Sequence, residues 1–300
     1  MDKVIGIDLG GTKINACLIN KDGEILQRSN TKTQASLGRD VVLKNIKKVI
    51  YDLDFTKAKA IGIGTPGFID SKNGIVSFSG NIEGWTGLNL KEAIEEYVNI
   101  PVFIENDANI ALLAEKWLGA GKTYKDIVMV TLGTGVGGAV YKEEYGLLLG
   151  SHFQGAELGH IILYPGGNYC TCGQYGCVEA YCSGAAISKH YKKLTGKKLS
   201  GEDILKNTDK DPAANKVLDS FQNDLAYFLT TLRNIFDSEA IIIGGGVINS
   251  KDIWWNGVLN RFDKICNRPD SIDIIPAKFL NDSGVIGAGK IAFERINNGK

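Results

Sequence analysis

Two stretches of the chain share one pattern of apolar and glycine positions. Residues 3–26 show an apolar strand, a glycine turn, a second apolar stretch, a turn at Asp22 and Gly23, and a third strand. Residues 127–150 repeat that order. Apolar runs joined by short glycine-containing turns are typical of antiparallel β-hairpins. Because the pattern recurs in both halves of the chain, it predicts an internal repeat and two related lobes.

Helical and strand patterns follow each of these β-units. Apolar positions three and four residues apart predict an amphipathic helix over 40–53, and further helices are predicted over 89–99, 107–119, 183–194, 216–236 and 284–296. Strands are predicted over 74–79, 101–106 and 240–245, and another runs from residue 60 into a Pro-Gly turn at Gly67. This alternation indicates an α/β fold. We expect a small lobe over 1–118, with a C-terminal helix at 285–300 packing back on it, and a large lobe over 119–284.

Composition and charge narrow the classes of function. The 300 residues are 44% hydrophobic and 23% charged, as in an ordinary globular protein. Thirty-four basic and thirty-four acidic residues leave no net charge to attract nucleic acid or an anionic membrane. The first residues do not resemble a signal peptide, and no apolar run approaches the roughly 20 residues of a membrane span. We therefore expect a cytoplasmic protein with no nucleic-acid or membrane partner.

Three glycine clusters are candidates for phosphate binding. The runs 8-DLGGTK-13 and 131-TLGTGVGG-138 each lie between two predicted strands, and 244-GGGV-247 follows a third. The backbone amides of such turns can bind phosphate oxygens, although each hairpin alone is more typical of an ordinary turn. Asp8 favours phosphate, because a carboxylate there would repel a nucleotide unless it held the accompanying divalent ion.

Two familiar nucleotide motifs fit poorly. Gly62, Gly64 and Gly67 satisfy G-x-G-x-x-G, as does the run 133–138, but a dinucleotide site needs this turn to open a helix, and both runs continue as strands. The run 119-GAGKT-123 ends like a P-loop, but it follows a helix and has Lys116 where the first glycine belongs. Matching hairpins in two lobes instead predict a two-lobed actin-like ATPase (sugar kinase / ribonuclease H-like) fold, with the active site in the cleft between the lobes.

Seven short motifs, in their order and spacing, resemble the ROK family of sugar kinases and repressors over nearly the whole chain: 8-DLGGTK-13, 62-GIGTPGFID-70, 105-ENDAN-109, 131-TLGTGVGG-138, 157-ELGH-160, 170-CTCGQYGCVE-179 and 243-IGGGV-247. The runs 81-NIEGW-85 and 105–121 are most similar to bacterial ATP-dependent glucokinases. Repressors of the family carry a helix-turn-helix before the first motif. Since the first strand here begins at residue 3, we expect a kinase rather than a repressor.

The resemblance implies a role for each motif. Asp107 would be the base that accepts the proton of the attacking hydroxyl, although an Asp between a strand and a helix is more often an N-cap. Sugar contacts are implied for Gly67, Asn81, Asn106, Asp107, Glu157, His160 and Glu179. ATP and Mg²⁺ contacts are implied for Asp8, Gly10, Gly11, Thr12, Lys13, Gly133, Thr134, Gly135, Gly244, Gly245 and Gly246. A homodimer is implied by the family alone.

The cysteine cluster predicts a metal site. Cys170, Cys172 and Cys177 lie within eight residues, and His160 lies ten residues upstream. Three thiolates and one imidazole complete a tetrahedral zinc shell without an open position, so the zinc would be structural and would brace the sugar pocket. A disulfide or redox pair of Cys170 and Cys172 is the alternative, and Cys182 could replace Cys177.

We therefore expect an ATP-dependent sugar kinase that phosphorylates the 6-hydroxyl group of a hexose, with glucose as the best single candidate. A kinase for N-acetylmannosamine, N-acetylglucosamine or fructose would share every motif. A non-catalytic sugar-sensing protein is the alternative from another class, but the complete set Asp8, Thr12, Thr134 and Asp107 argues against it. A zinc-knuckle nucleic-acid binder is excluded because residues 164–181 contain no Lys or Arg.

Overall fold

The computed structural model describes residues 2–80, 82–268, 270, 272–279 and 281–297. Its strands are β1 (Lys3–Leu9), β2 (Lys13–Asn20), β3 (Ile25–Lys32), β4 (Ile61–Thr65), β5 (Phe68–Asp70), β6 (Ile75–Phe78), β7 (Val102–Asn106), β8 (Ile127–Leu132), β9 (Val136–Lys142), β10 (Gly146–Leu147), β11 (Ala240–Gly244) and β12 (Asp273–Pro276). Its α-helices are α1 (Arg39–Tyr51), α2 (Leu90–Val98), α3 (Asp107–Leu118), α4 (Glu179–Cys182), α5 (Gly184–Thr195), α6 (Gly201–Lys206), α7 (Pro212–Phe236), α8 (Lys251–Ile265) and α9 (Ser283–Asn297).

These elements form two compact units. Unit 1 contains residues 2–123, 149–155 and 281–297, and unit 2 contains residues 124–148 and 156–279. Among the described helices, none is both long enough and apolar enough to cross a bilayer.

The sheet of unit 1 has the strand order β3-β2-β1-β4-β7. Strands β1, β2 and β3 pair antiparallel, whereas β4 runs parallel to β1 and β7 runs parallel to β4. In this register Asp8 lies opposite Gly64, and Thr65 lies opposite Asn106. Because parallel strands end at the same edge, the end of β1 and the junction of β7 with α3 lie at one edge of the sheet.

The sheet of unit 2 repeats this arrangement in the order β10-β9-β8-β11-β12. Strands β8, β9 and β10 pair antiparallel, and β8, β11 and β12 run parallel. Thr131 pairs with Gly244, so the β8–β9 turn and the glycines after β11 lie at one edge. The internal repeat predicted from the glycine turns is therefore confirmed in both sheets.

Helix α9 packs against the unit 1 sheet at very close range. A Cβ atom added to Gly6 would overlap the carbonyl oxygen of Val285, and one added to Gly62 would overlap the carbonyl oxygen of Ala288. Likewise, a Cβ atom on Gly287 would overlap the carbonyl oxygen of Ile110 in α3. The helix predicted near the C-terminus is thus confirmed, and glycines on each surface allow it to approach the strands.

Some boundaries differ from those predicted. Helix α7 begins at Pro212 rather than at residue 216, because Asp211 caps it by accepting a hydrogen bond from Ala213 N at 2.8 Å, and proline suits the first helical position. Helices α4, α6 and α8 and strands β5 and β12 were not predicted. Ser200 caps α6, and its oxygen accepts a hydrogen bond from Asp203 N at 3.1 Å. Both missed N-terminal signals, D-P and S-x-x-D, are visible in the sequence.

Candidate active site

Asp8 lies at the end of β1, half-buried, beside helix α9. A Cβ atom on Gly284 would collide with its carboxyl group, so that glycine makes room for the side chain. Burial and, to a smaller extent, the negative charge of Asp107 raise the pKa of Asp8 from 3.8 to about 6, against the opposing effect of a hydrogen bond from Asn15. The structure therefore brings two of the predicted acidic residues into electrostatic contact.

Asp107 is the first residue of α3, and its side chain is exposed to solvent. Its carboxylate accepts a hydrogen bond from Ala108 N at 2.9 Å. Despite the exposed surface, dense surrounding protein raises the pKa of Asp107 through desolvation, and the backbone amides of Ala108 and of Asp107 itself oppose that shift. Among the described residues, no Lys or Arg pairs with it, so the carboxylate can accept a proton from a ligand.

The N-cap of α3 is Asn106, so the N-cap interpretation of Asp107 is wrong. The Asn106 Oδ1 atom accepts hydrogen bonds from Ala108 N at 2.8 Å and from Asn109 N at 3.4 Å. Its Nδ2 group donates to Gly67 O at 3.0 Å. Gly67 itself has φ of 110°, and an added Cβ atom would overlap Phe78 O. Two residues predicted to contact sugar therefore hold each other in place.

Glu105 is a site residue that sequence reasoning did not single out. Its side chain is 3% exposed and accepts hydrogen bonds from Asn106 N at 2.9 Å and from Asn109 Nδ2 at 3.0 Å. Burial raises the pKa of Glu105, and these hydrogen bonds oppose the shift. A carboxylate within the apolar strand VFIEN was the available signal. Glu105 holds the backbone from which Asp107 projects.

The β1–β2 turn exposes part of its glycine motif. Gly10 N donates to Lys13 O at 2.9 Å, and Thr33 Oγ1 donates to Gly10 O at 2.6 Å, so the base of the turn is closed. Thr12 and Lys13 are exposed, and a Cβ atom on Gly11 would meet nothing within 4 Å. Gly11 and its neighbours at the tip are therefore open to a ligand.

The glycines of unit 2 divide into open and packed positions. Gly133 and Gly246 have open space beside the Cα atom, and Thr134 is exposed between Gly133 and Gly135. In contrast, Gly245 has φ of 83° and packs against the backbone of Leu132. A Cβ atom on Gly244 would lie 3.0 Å from Met129 Cε. We conclude that Gly133 and Gly246 permit ligand approach, whereas Gly244 and Gly245 allow tight packing.

The predicted zinc ligands lie together. The ligand atoms of His160, Cys170, Cys172 and Cys177 are all within 4.8 Å of one another, and Cys182 does not belong to this group. Cys170 Sγ is 3.7 Å from His160 Nδ1, and Cys172 Sγ is 3.7 Å from Cys177 Sγ. Ligands bound to zinc at about 2.3 Å (S) and 2.1 Å (N) in a tetrahedron would be separated by roughly 3.6–3.8 Å. The four donors therefore fit a tetrahedral zinc ion.

Burial and the neighbouring thiols act differently on the three cysteines. Burial and hydrogen bonds with Cys172 and Cys170 raise the pKa of Cys177 to about 12, and burial raises that of Cys170. The pKa of the exposed Cys172 is lowered, because hydrogen bonds from Gln174 and the other two thiols outweigh its desolvation. Zinc binds thiolates, so zinc binding here would release the protons of these thiols and would weaken as the pH falls.

Residues 160–181, which contain the four candidate zinc ligands, are here called the zinc-ligand segment. Within it, Glu179 contacts the turn between β8 and β9. Its Oε2 atom accepts a hydrogen bond from Val136 N at 3.0 Å, and its Oε1 atom accepts one from Thr171 Oγ1 at 3.2 Å and lies 3.6 Å from Cys170 Sγ. A Cβ atom on Gly135 would overlap Oε2, so Gly135 leaves room for this carboxylate. The glycine predicted to bind phosphate thus also accommodates a residue predicted to bind sugar.

Three further residues were predicted to contact sugar: Glu157, His160 and Asn81. Glu157 is exposed, and its carbonyl oxygen accepts a hydrogen bond from His160 N at 3.0 Å in a 3₁₀ turn over Leu158–His160. His160 turns Nδ1 toward the thiols, which leaves Nε2 to face elsewhere. Asn81 lies outside the described residues. In unit 1 the structure assembles Asp8, Gly67, Asn106 and Asp107, and in unit 2 it assembles Gly133, Gly135, His160, Glu179 and the cysteines.

Known proteins resemble this chain over nearly its full length. A family model described as the ROK family matches residues 4–295. A glucokinase of Thermotoga maritima is 36% identical, over 98% of this chain and 98% of that protein.

A ROK hexokinase of Thermus thermophilus superimposes with a TM-score of 0.89 at 30% identity, covering 99% of each chain. A ROK family glucokinase of Streptomyces griseus, solved with glucose and AMPPNP, gives a TM-score of 0.84 at 29% identity and covers 97% of this chain and 99% of that one. The predicted actin-like ATPase and sugar kinase fold class is confirmed.

Proposed function

Because the chain belongs to the ROK family, we propose that it is an ATP-dependent hexose kinase that transfers the γ-phosphoryl group of ATP to the 6-hydroxyl group of glucose. The observation that carries the proposal is the exposed carboxylate of Asp107, held at the edge of the unit 1 sheet by Asn106 and Glu105. Glucose is the favoured sugar because similar chains are glucokinases and one of them was solved with glucose.

Asp107 acts as the general base. The sugar hydroxyl oxygen attacks the γ-phosphorus atom, the bond from that phosphorus to the bridging oxygen of ADP breaks, and the hydroxyl proton passes to Asp107. The raised pKa of Asp107 makes the carboxylate a better proton acceptor than an ordinary Asp. Asn106 supports the sugar pocket through its hydrogen bond to Gly67, and its side chain lies next to the base.

Asp8 and the open glycine turns serve the nucleotide. A carboxylate is a suitable ligand for Mg²⁺, which neutralises phosphate charge when bound, and Asp8 lies directly before the β1–β2 turn. Gly11, Gly133 and Gly246 leave the backbone open to phosphate oxygens. Zinc held by His160, Cys170, Cys172 and Cys177 is structural, because the four donors fill its shell. It would fix the loop that carries Glu157, His160 and Glu179.

The substrate is tested by measuring ADP release with glucose, N-acetylmannosamine, N-acetylglucosamine and fructose. We expect the highest kcat/KM with glucose, and phosphorus NMR of the product should show a 6-phosphate ester. A preference for an N-acetylated sugar would move the assignment within the family. If the protein binds glucose but releases no ADP with any of these sugars, the result would instead favour a sugar-sensing protein.

The base is tested by Asp107→Asn. This variant keeps the size of the side chain but cannot accept the proton, so kcat should fall by about 10²–10⁴-fold with no loss of thermal stability. Glu92→Gln is the matched control, because Glu92 is also an exposed carboxylate in the first turn of a helix of unit 1. Activity of the Asp107→Asn protein within a few-fold of the parent would reject Asp107 as the base.

A further inference from the structure

Unit 2 contains a cavity of about 660 Å³ that is separate from the residues proposed above for catalysis, phosphate binding and zinc binding. Helices α5 and α7 form two sides of it, and residues that flank the cysteine cluster form a third. Small-molecule sites typically have volumes of about 300–1,000 Å³. The cavity is therefore large enough for a monosaccharide derivative.

A buried carboxylate marks the α7 side of this cavity. Asp224 is 9% exposed, and its Oδ1 atom accepts a hydrogen bond from the Tyr164 hydroxyl group at 2.7 Å. Among the described residues, no donor is within hydrogen-bonding distance of the second oxygen, Oδ2. Burial raises the pKa of Asp224, while Tyr164 and the nearby His190 oppose the shift. Oδ2 is not one of the fully buried atoms that lack a partner, so solvent reaches it, and a ligand hydroxyl group could donate to it in place of water.

The α5 side carries positive charge. Lys189, His190 and Lys193 line it, and neither lysine forms an ion pair with a described residue. Asp224 is the one carboxylate among the residues that line the cavity, so two lysines outweigh it even with His190 neutral. An anionic group on the ligand would be attracted to this side.

Aromatic and amide groups complete the lining. The rings of Tyr164 and Tyr181 lie edge to face with centroids 4.9 Å apart, and Tyr227 is 47% exposed. Asn168 and Asn223 also line the cavity, but their amides already bond within the protein: Asn223 Oδ1 accepts from Arg261 Nε at 2.8 Å, and Asn168 Nδ2 donates to Ala180 O at 3.5 Å. Aromatic surface combined with a few directional polar groups is suited to a sugar ring, which presents apolar faces and hydroxyl edges.

We propose that this cavity binds a phosphorylated monosaccharide, whose hydroxyl groups donate to Asp224 and whose phosphate group faces Lys189 and Lys193. Both lysines are exposed to solvent, so a neutral sugar would gain nothing from their charge, whereas inorganic phosphate would gain nothing from the Asp224 carboxylate. A sugar phosphate satisfies both sides. None of the proposed catalytic residues lines this cavity. The proposal rests on the proposed function in one respect, because the kinase reaction yields a ligand of this class.

The third side of the cavity belongs to the zinc-ligand segment. Leu163 N and Tyr164 N donate to Gly176 O at 2.8 and 3.2 Å, and Gly176 N donates to Asn168 O at 2.8 Å. The Tyr181 hydroxyl group accepts a hydrogen bond from Asn168 N at 2.7 Å. A ligand that contacts Tyr164 and Tyr181 would therefore stabilise the segment that carries Cys177 and Glu179.

The test is calorimetric titration of glucose 6-phosphate into the full chain with saturating glucose and AMPPNP, which block the catalytic site. We expect one equivalent to bind, and Lys193→Ala to raise the dissociation constant roughly tenfold by removing a charge-assisted contact. Asp224→Asn should weaken binding similarly while its Oδ1 atom still accepts from Tyr164. Lys192→Ala is the matched control, since Lys192 is an exposed lysine of α5 that does not line the cavity.

Three results would overturn the proposal. These are no binding to the blocked protein, equal weakening by Lys192→Ala and Lys193→Ala, and inorganic phosphate binding as tightly as glucose 6-phosphate. The titration measures binding rather than turnover, so failure of the kinase proposal would appear separately, as absent ADP release. In that event the same variants are compared without the blocking ligands.

Discussion

At the scale of single residues, the two acidic groups at the unit 1 sheet edge differ in their surroundings. Asp8 is half-buried beside Gly284, whereas Asp107 is exposed at the start of α3. The first is suited to hold a metal ion against phosphate, and the second to reach a substrate hydroxyl group. Both proposed roles depend on neighbours that are distant in sequence.

Asp8→Asn is expected to stabilise the ligand-free protein while impairing Mg²⁺-dependent use of ATP. The pKa of Asp8 is about 6 in the folded protein against 3.8 ordinarily, so the folded state binds the proton more tightly than the unfolded chain. This group therefore favours folding most below about pH 4, and its contribution is lost as the pH rises toward 6. Removing the charge should raise the free energy of unfolding at pH 7 by about 1–2 kcal/mol, after allowance for partial exposure.

Denaturant unfolding at pH 4 and pH 7, with steady-state kinetics, measures this effect. Asp209→Asn, which changes an exposed turn residue, is the control and should alter neither quantity. If Asp8→Asn instead lowered the free energy of unfolding at pH 7, the folded protein would have to stabilise the charged form of Asp8, which would contradict the raised pKa.

At the scale of elements, glycines serve two purposes that the sequence does not separate. Gly62 allows α9 to touch β4, whereas Gly11 leaves a turn open to ligand. Gly62→Ala should therefore destabilise the protein by about 1–3 kcal/mol through overpacking. Gly11→Ala should leave stability within about 0.5 kcal/mol but raise KM for ATP. Thermal unfolding and ATP kinetics on both variants check the contrast, and a stable Gly62→Ala protein would show that α9 can shift away.

The zinc-ligand segment is a second element whose stability can be tested. Cys172→Ser removes one of four ligands, so bound zinc should fall from one equivalent per chain and the melting temperature should drop by roughly 5 °C or more. Cys266→Ser is the control, because Cys266 is half-buried and lies outside the ligand group. Metal analysis that finds no zinc in the parent protein, prepared without chelators, would contradict the site.

At the scale of the whole molecule, the repeated sheets explain why so much was predictable. Each hairpin is signalled by glycines within a few residues of one another, and the parallel strands that follow are apolar runs bounded by turns. The candidate zinc ligands are close in sequence as well, so their grouping was predictable. Helices α4 and α6 and strands β5 and β12 were missed because they are only three to six residues long. Helix α8 was missed although Trp254, Val258 and Phe262 follow one another at the four-residue spacing of a helix.

Residues close together in the chain determined the two hairpins, most of the order of strands and helices, and the group of four candidate zinc ligands, because turn chemistry and ligand type act locally. Only the tertiary structure decided which side chains meet across distant elements. Asn106 caps α3 and binds Gly67, Glu179 joins the zinc-ligand segment to β9, and α5 and α7 enclose a cavity around Asp224. Such contacts depend on the packing of distant segments, and a linear pattern of residue types contains no distances between them.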